Sequence, residues 1–280
     1  MTRRLIVTAD DFGMSLEVNE AVEVAHREGI LTCASLVVAG DAAEDAIRRA
    51  KRMPSLGVGL HLAMHGARTS AKQPSALARD GENLDQNPVR TGLAVMLWPS
   101  ARQAARREFA AQFEAYRKSG LPLGHLDGHW HCHQHPAVLA MALELGKPMG
   151  LKGLRIPHEP HALVRAVSGH GSRLQSAGMG ILALEMRRQA RKVRIAVNDH
   201  FFGMADGGFI DSQLLRNLAA HLPEGVSEVG LHPSTANWHG PHAPPPHWQP
   251  ALELTALTDP AVRDELAARG VELCRWADLA

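Results

Sequence analysis

Short apolar runs alternate with amphipathic stretches along the chain. Residues 4–9 read as a buried strand, after which Ser15 caps a helix running to about Glu28. Val18, Ala21, Val22 and Ala25 share one face of that helix, and Gly29 stops it. Residues 31–39 form a second apolar run, followed by a helix over 41–52 that ends ahead of Pro54. Residues 56–62 are a third strand. Residues 66–90 are polar and irregular, longer than a connector needs, and loops of that length often carry function.

An amphipathic helix opens at Pro99-Ser100 and runs to about Lys118. Residues 121–127 make a fourth strand, leading through a histidine-rich turn into a helix over 136–145. Further strands are expected at 153–157, 193–197 and 226–231, and a last helix at 260–268 precedes residues 271–274. With no Pro/Ser linker to split it, the pattern predicts one parallel α/β domain over 1–280. A (β/α) barrel of seven or eight strands fits first, a doubly wound sheet second.

Composition narrows the picture. The net charge of +1 gives no basis for nucleic-acid binding. Cys33, Cys132 and Cys274 stand apart, without the spacing of a disulfide framework or zinc knuckle, and fit a reducing cytoplasm. The start of the chain meets two acids too soon for a signal peptide, and no run is long enough to span a membrane. Seventeen histidines are an excess, and they cluster.

Titratable residues recur at the expected C-terminal strand ends, where a barrel builds its active site. Asp10 and Asp11 follow the first strand, His61 closes the third, Asp127 and His129 follow the fourth, and His232 follows the seventh. Adjacent residues on an extended chain point opposite ways, so Asp10 and Asp11 are expected on opposite faces, one for a metal and one for a substrate; alternatively they cap the next helix. The stretch His125-Leu-Asp-Gly-His129-Trp-His131-Cys-His133-Gln-His135 would place its histidines on one face if extended, or crowd a single metal if turned. His26, His65 and His221 have no supporting pattern.

These residues resemble those of the YdjC-like carbohydrate deacetylases. The matching elements are Thr-Ala-Asp-Asp-Phe-Gly at 8–13, Asn19, Gly-Leu-His-Leu at 59–62, His-Leu-Asp-Gly-His-x-His-x-His at 125–133 and Leu-His-Pro at 231–233. Gly-Leu-Arg-Ile-Pro-x-Glu-Pro at 153–160 and Leu-Thr-Asp-Pro-Ala-Val-Arg at 257–263 are similar to the hopanoid-associated branch. The resemblance implies a distorted, polysaccharide-deacetylase-like (β/α) barrel with one divalent metal that removes acetyl groups from N-acetylated sugars. The branch implies N-acetylglucosaminyl-bacteriohopanetetrol as substrate; soluble chitooligosaccharides such as N,N′-diacetylchitobiose are the alternative, and a non-enzymatic metal- or lipid-binding module ranks below both. Asp11, His61 and His129 would be the metal ligands, Asp10 the general base and His232 the general acid. Asp127, His131, His133 and Arg155 would orient ligands or line the substrate cleft. Trp130 and Cys132 depart from the family pattern, at positions expected in the pocket lining. Two His and one Asp suit Zn²⁺, whereas the family is usually ascribed Mg²⁺, an ion that prefers oxygen.

Residues 161–194 carry many Arg and Lys among apolar residues. They read either as a face or lid meeting a lipid-linked substrate at the inner membrane surface or as an ordinary solvated helix.

Overall fold

The computed structural model describes residues 2–240 and 242–279. Its strands and helices alternate over much of the chain, as the apolar runs predict. In chain order they are β1 (Arg3–Phe12), α1 (Leu16–Glu28), β2 (Cys33–Leu36), α2 (Ala43–Lys51), β3 (Gly57–Leu62), α3 (Pro88–Leu97), α4 (Pro99–Ser119), β4 (His125–Gly128), α5 (Pro136–Gly146) and β5 (Gly153–Leu154). There follow α6 (His161–Ser168), α7 (Arg173–Val193), β6 (Ala196–Val197), β7 (His200–Phe202), α8 (Ser212–His221), β8 (Gly225–Leu231), α9 (Pro250–Thr258), α10 (Pro260–Ala268) and β9 (Val271–Leu273). Helices follow one another in pairs at α3–α4, α6–α7 and α9–α10. Among the described residues no helix is long and apolar enough to cross a membrane.

All the pairings between these strands are parallel, in the order β6-β5-β4-β3-β2-β1-β8-β7, with β9 added beside the start of β1. The two ends of this sheet, β6 and β7, are neighbouring pieces of one stretch, 196–202. Its first half pairs with β5 and its second half with β8. Asn198 sits at the break and ties the seam, exchanging hydrogen bonds with the backbone of Ile156 and donating to the carbonyl of His200. The result is a curled, distorted (β/α) barrel. Residues 200–202 escape the sequence pattern because three residues make too short an apolar run to register.

Strand residues alternate between the barrel's interior and its surrounding helices. On β1, Leu5, Val7 and Ala9 join the large outer core, whereas Ile6 packs with Cys33, Val226, Cys274 and Trp276. Trp276 closes the barrel floor with its ring stacked on His125 at 5.7 Å. Above this floor the interior turns polar, with Thr8, Ser35, Asp127, Arg155 and Glu228 all fully buried. A sequence run that looks uniformly apolar therefore leads, two residues at a time, from a hydrophobic plug to a carboxylate.

Candidate active site

β1 ends in a bulge. Ala9 pairs with Ala34 and Phe12 with Leu36, so Asp10 and Asp11 together face the single residue Ser35. Asp11 takes a left-handed backbone, φ 62°, which Asp tolerates better than most residues. Both carboxylates consequently line one cavity, of about 480 Å³, at the C-terminal mouth of the barrel. The expectation of opposite faces fails here because a bulge re-aims the side chain that strict alternation would turn away.

Asp11 gathers two histidines. His129 Nδ1 lies 2.9 Å and His61 Nε2 3.4 Å from Asp11 Oδ1. Burial raises the Asp11 carboxyl, but the charge and hydrogen bonds of His129 and His61 outweigh it and hold the group well below the ordinary value. Asp11, His61 and His129 offer three donor atoms within 4.8 Å of one another, one carboxylate and two imidazoles, a set suited to a divalent cation with open positions. Asp10, His61 and Asp127 form a second close group. There, however, Arg155 already bonds both acids and supplies the cation.

His61 is held from behind by a buried relay. His61 donates Nδ1–H to Asp127 Oδ1 at 2.8 Å, which leaves Nε2 toward Asp11. Despite burial, which lowers it, the His61 imidazole is raised to about 10 by Asp127, Asp11 and Asp10; a cation at Nε2 would take the place of that proton. Asp127 Oδ2 accepts from Ser35 Oγ at 2.6 Å, and Ser35 accepts in turn from His125 Nε2 at 3.0 Å. Gly66, at φ +64°, gives His129 its space, since a Cβ there would press to 3.2 Å on Nε2. Replacing Asp127 by Asn is expected to weaken Zn²⁺ binding roughly 10- to 100-fold. Isothermal titration would check this, and unchanged affinity would remove its orienting role.

Arg155 is fully buried behind the site and absent from the cavity wall. Its guanidinium grips Asp10 with both terminal nitrogens, at 2.7 and 2.8 Å, and also reaches Asp127 at 2.9 Å and Glu228 at 3.0 Å. Burial and the neighbouring Asp127 keep Glu228 raised in spite of Arg155, so Arg155 mainly balances Asp10 and Asp127. His232 Nε2 stands 4.0 Å from Asp10 Oδ2, its ring against Trp248 at 4.6 Å and its backbone N–H donating to Glu253. Glu253 also accepts from Gly208 and Ile210, fastening the 203–210 segment beside the cavity.

The five clustered histidines go to five different places. His125 lies in the barrel interior, where burial lowers it to about 4 and keeps it neutral. His129 joins Asp11, while His131 lines the cavity edge-on to Phe201 at 5.5 Å. His133 turns away from the cavity and donates Nε2–H to the Arg155 carbonyl, and His135 caps α5. A common face is excluded because Trp130 and His131 both adopt left-handed backbone, φ 50° and 54°. Cys132, expected in the lining, is instead buried, with its thiol donating to the Leu62 carbonyl. Trp130 does reach the mouth, where it stacks on Trp248 at 6.4 Å.

Some residues gain importance only in the fold. His65 lines the cavity beside His129, buried, with neither ring nitrogen hydrogen-bonded. Burial and the nearby His129 lower it to about 4, so it stays neutral. Glu228 and Glu253 had a readable signal, each the lone acid of a strand or helix that carries no other charge. Glu159, from the Pro-x-Glu-Pro stretch, accepts from the Met204 and Ala205 backbone in the cavity wall, and burial raises it to about 7.

With this arrangement at its mouth, the barrel is that of an enzyme, a hydrolase. The chain belongs to the YdjC-like protein family, whose pattern matches residues 4–268. It is 30% identical to a carbohydrate deacetylase of Geobacillus stearothermophilus over 99% of this chain and 98% of that one. It is also 30% identical to the human carbohydrate deacetylase, over 99% and 91% respectively. In fold it is similar to a crystal structure from Enterococcus faecalis V583, described as a candidate cellobiose-phosphate cleavage protein, with TM-score 0.75 and 21% identity over the whole of both chains.

Proposed function

We propose that the protein is a metal-dependent deacetylase that hydrolyses the N-acetyl group of an N-acetylglucosaminyl unit. The observation that carries this reading is one cavity lined by Asp10, Asp11, His129 and His232, with His61 joined to Asp11 behind it. The names of the full-length relatives support the carbohydrate substrate.

Asp11, His61 and His129 would hold one divalent cation; the two imidazoles favour Zn²⁺ over Mg²⁺. When bound, such a cation supplies Lewis acidity, stabilising charge on the amide oxygen by several kcal/mol. Asp10 takes a proton from the attacking water, its carboxylate aimed by the Arg155 fork. Each carboxylate oxygen has two lone-pair sites, so the fork leaves acceptor capacity on the cavity side. His232 protonates the nitrogen as the amine leaves, its Nε2 standing 4.0 Å from Asp10 Oδ2. Asp127 and Arg155 position the ligand and the base, and His131 lines the acyl or sugar subsite.

For the substrate, a lipid-linked sugar of the N-acetylglucosaminyl-bacteriohopanetetrol type is supported by the likeness of residues 153–160 and 257–263 to the hopanoid branch. The Trp130–Trp248 pair at the mouth favours the second reading, a soluble chitooligosaccharide, since indole faces suit sugar rings. Acetate release from both substrates decides. Faster turnover of the glycolipid is expected; preference for diacetylchitobiose would overturn the lipid part, and release from neither would overturn the deacetylase itself.

A further inference from the structure

Twelve large apolar side chains are exposed among the described residues, and ten of them lie on α3, Trp98, α7 and the cavity rim. Val89, Leu93, Met96 and Leu97 form one stripe on α3, continued by Trp98, all between 46% and 68% exposed. Three more, Leu174, Ile181 and Leu184, lie on α7, and Trp130 and Phe209 edge the cavity. α7 buries Ala183, Met186 and Ala190 against the barrel, so its outer face runs Leu174, Ala177, Ile181, Leu184 and then Arg188 and Arg191. Both helices pack against the 129–134 turn that carries His129, and Pro88 at the head of α3 lines the cavity itself. Soluble proteins seldom leave such a patch bare without a partner for it.

Charge says which partner. Residues 86–107 contain four arginines and residues 173–194 six cations. Asp85, Glu144 and Glu185 pair with Arg90, Arg106 and Arg188, so these ten cations still exceed the three acids that meet them, in a chain whose net charge is only +1. Apolar stripes ending in tryptophan and flanked by Arg and Lys are the make-up of helices that lie in a lipid interface. A two-fold pairing of this face with itself would set like charges against each other.

We infer that α3 and the outer face of α7 form a docking surface for an anionic lipid bilayer, holding the active-site mouth at the membrane. As a route to substrate the inference rests on the lipid-linked reading; as a binding surface it stands apart from catalysis. The experiment is flotation of the whole protein with phosphatidylcholine vesicles, alone or containing roughly a third phosphatidylglycerol. Wild type is expected to float with the anionic vesicles and to be released by salt. Leu93→Glu/Met96→Glu and, separately, Ile181→Glu are expected to cut binding about tenfold or more, since each replaces an exposed aliphatic side chain that would enter the bilayer with a charge the lipid repels. Acetate release from soluble diacetylchitobiose should be unchanged in these variants if wild type has it, and circular dichroism should match wild type. No binding to anionic vesicles would overturn the docking surface. So would equal binding by the variants, or a stable solution dimer that the same substitutions dissolve. Binding without any deacetylation would leave the surface standing and overturn the catalytic reading alone.

Discussion

Asp10→Asn is expected to lower acetate release by about 10²- to 10⁴-fold without reducing the metal that the protein takes up. The expectation follows from the separation of the two acids. Asp11 faces His61 and His129, whereas Asp10 faces Arg155 and His232. An amide at position 10 cannot accept the proton of water at neutral pH, yet it leaves Asp11, His61 and His129, the proposed cation ligands, in place. Kinetics on the preferred sugar, paired with metal analysis of the same sample, test both halves. Retained turnover would remove the general-base role; loss of metal together with activity would mean that the bulge binds the cation with both acids.

Arg155→Met should cost the fold about 3–5 kcal/mol, because it strands Asp10 and Asp127 in the barrel interior without a cation. Arg155→Lys keeps a charge but not the fork, so it should fall between the two in stability and still misplace Asp10. Burial pushes Asp127 up, but Arg155 and His61 together hold it well below the ordinary 3.8. A depressed carboxyl contributes stability above its unfolded-state value and loses it as pH falls through the folded value. The deficit of Arg155→Met should therefore be largest near neutral pH and shrink in acid, as Asp127, no longer held down by the guanidinium, takes up a proton. Urea denaturation at several pH values measures this. A variant as stable as wild type would show that the interior network is not held together by its arginine.

Much of the architecture was legible beforehand because parallel strands buried on both faces announce themselves as short apolar runs. The elements that escaped had weak or misleading local signals. β7 is three residues long, and α3 turns its apolar residues outward, so its periodicity does not resemble that of a packed helix. Site residues could be singled out where they end strands, as Asp10, Asp11, His61 and His232 do. His65 lies in a loop, where no period indicates which way a side chain points, and only the fold brings it to the cavity.

The opening carboxylate pair shows where the division falls. The sequence alone placed Asp10 and Asp11 at the end of a buried strand in a parallel α/β domain, with capping of the next helix left as the other use of the pair. It also determined that histidines would meet them there. Alternation along an extended chain then argued for opposite faces and, wherever the histidine stretch was extended, for one shared face. Tertiary structure decided otherwise. Two residues of β1 opposite the single Ser35 make a bulge, left-handed Asp11 turns its carboxylate to the same cavity as Asp10, and left-handed Trp130 and His131 disperse the histidines. Such backbone states are locally unfavourable and persist only where long-range contacts over-determine them. The strand pairing of β1 and β2 and the Asp11–His129 contact, between residues 118 apart, are contacts of that kind.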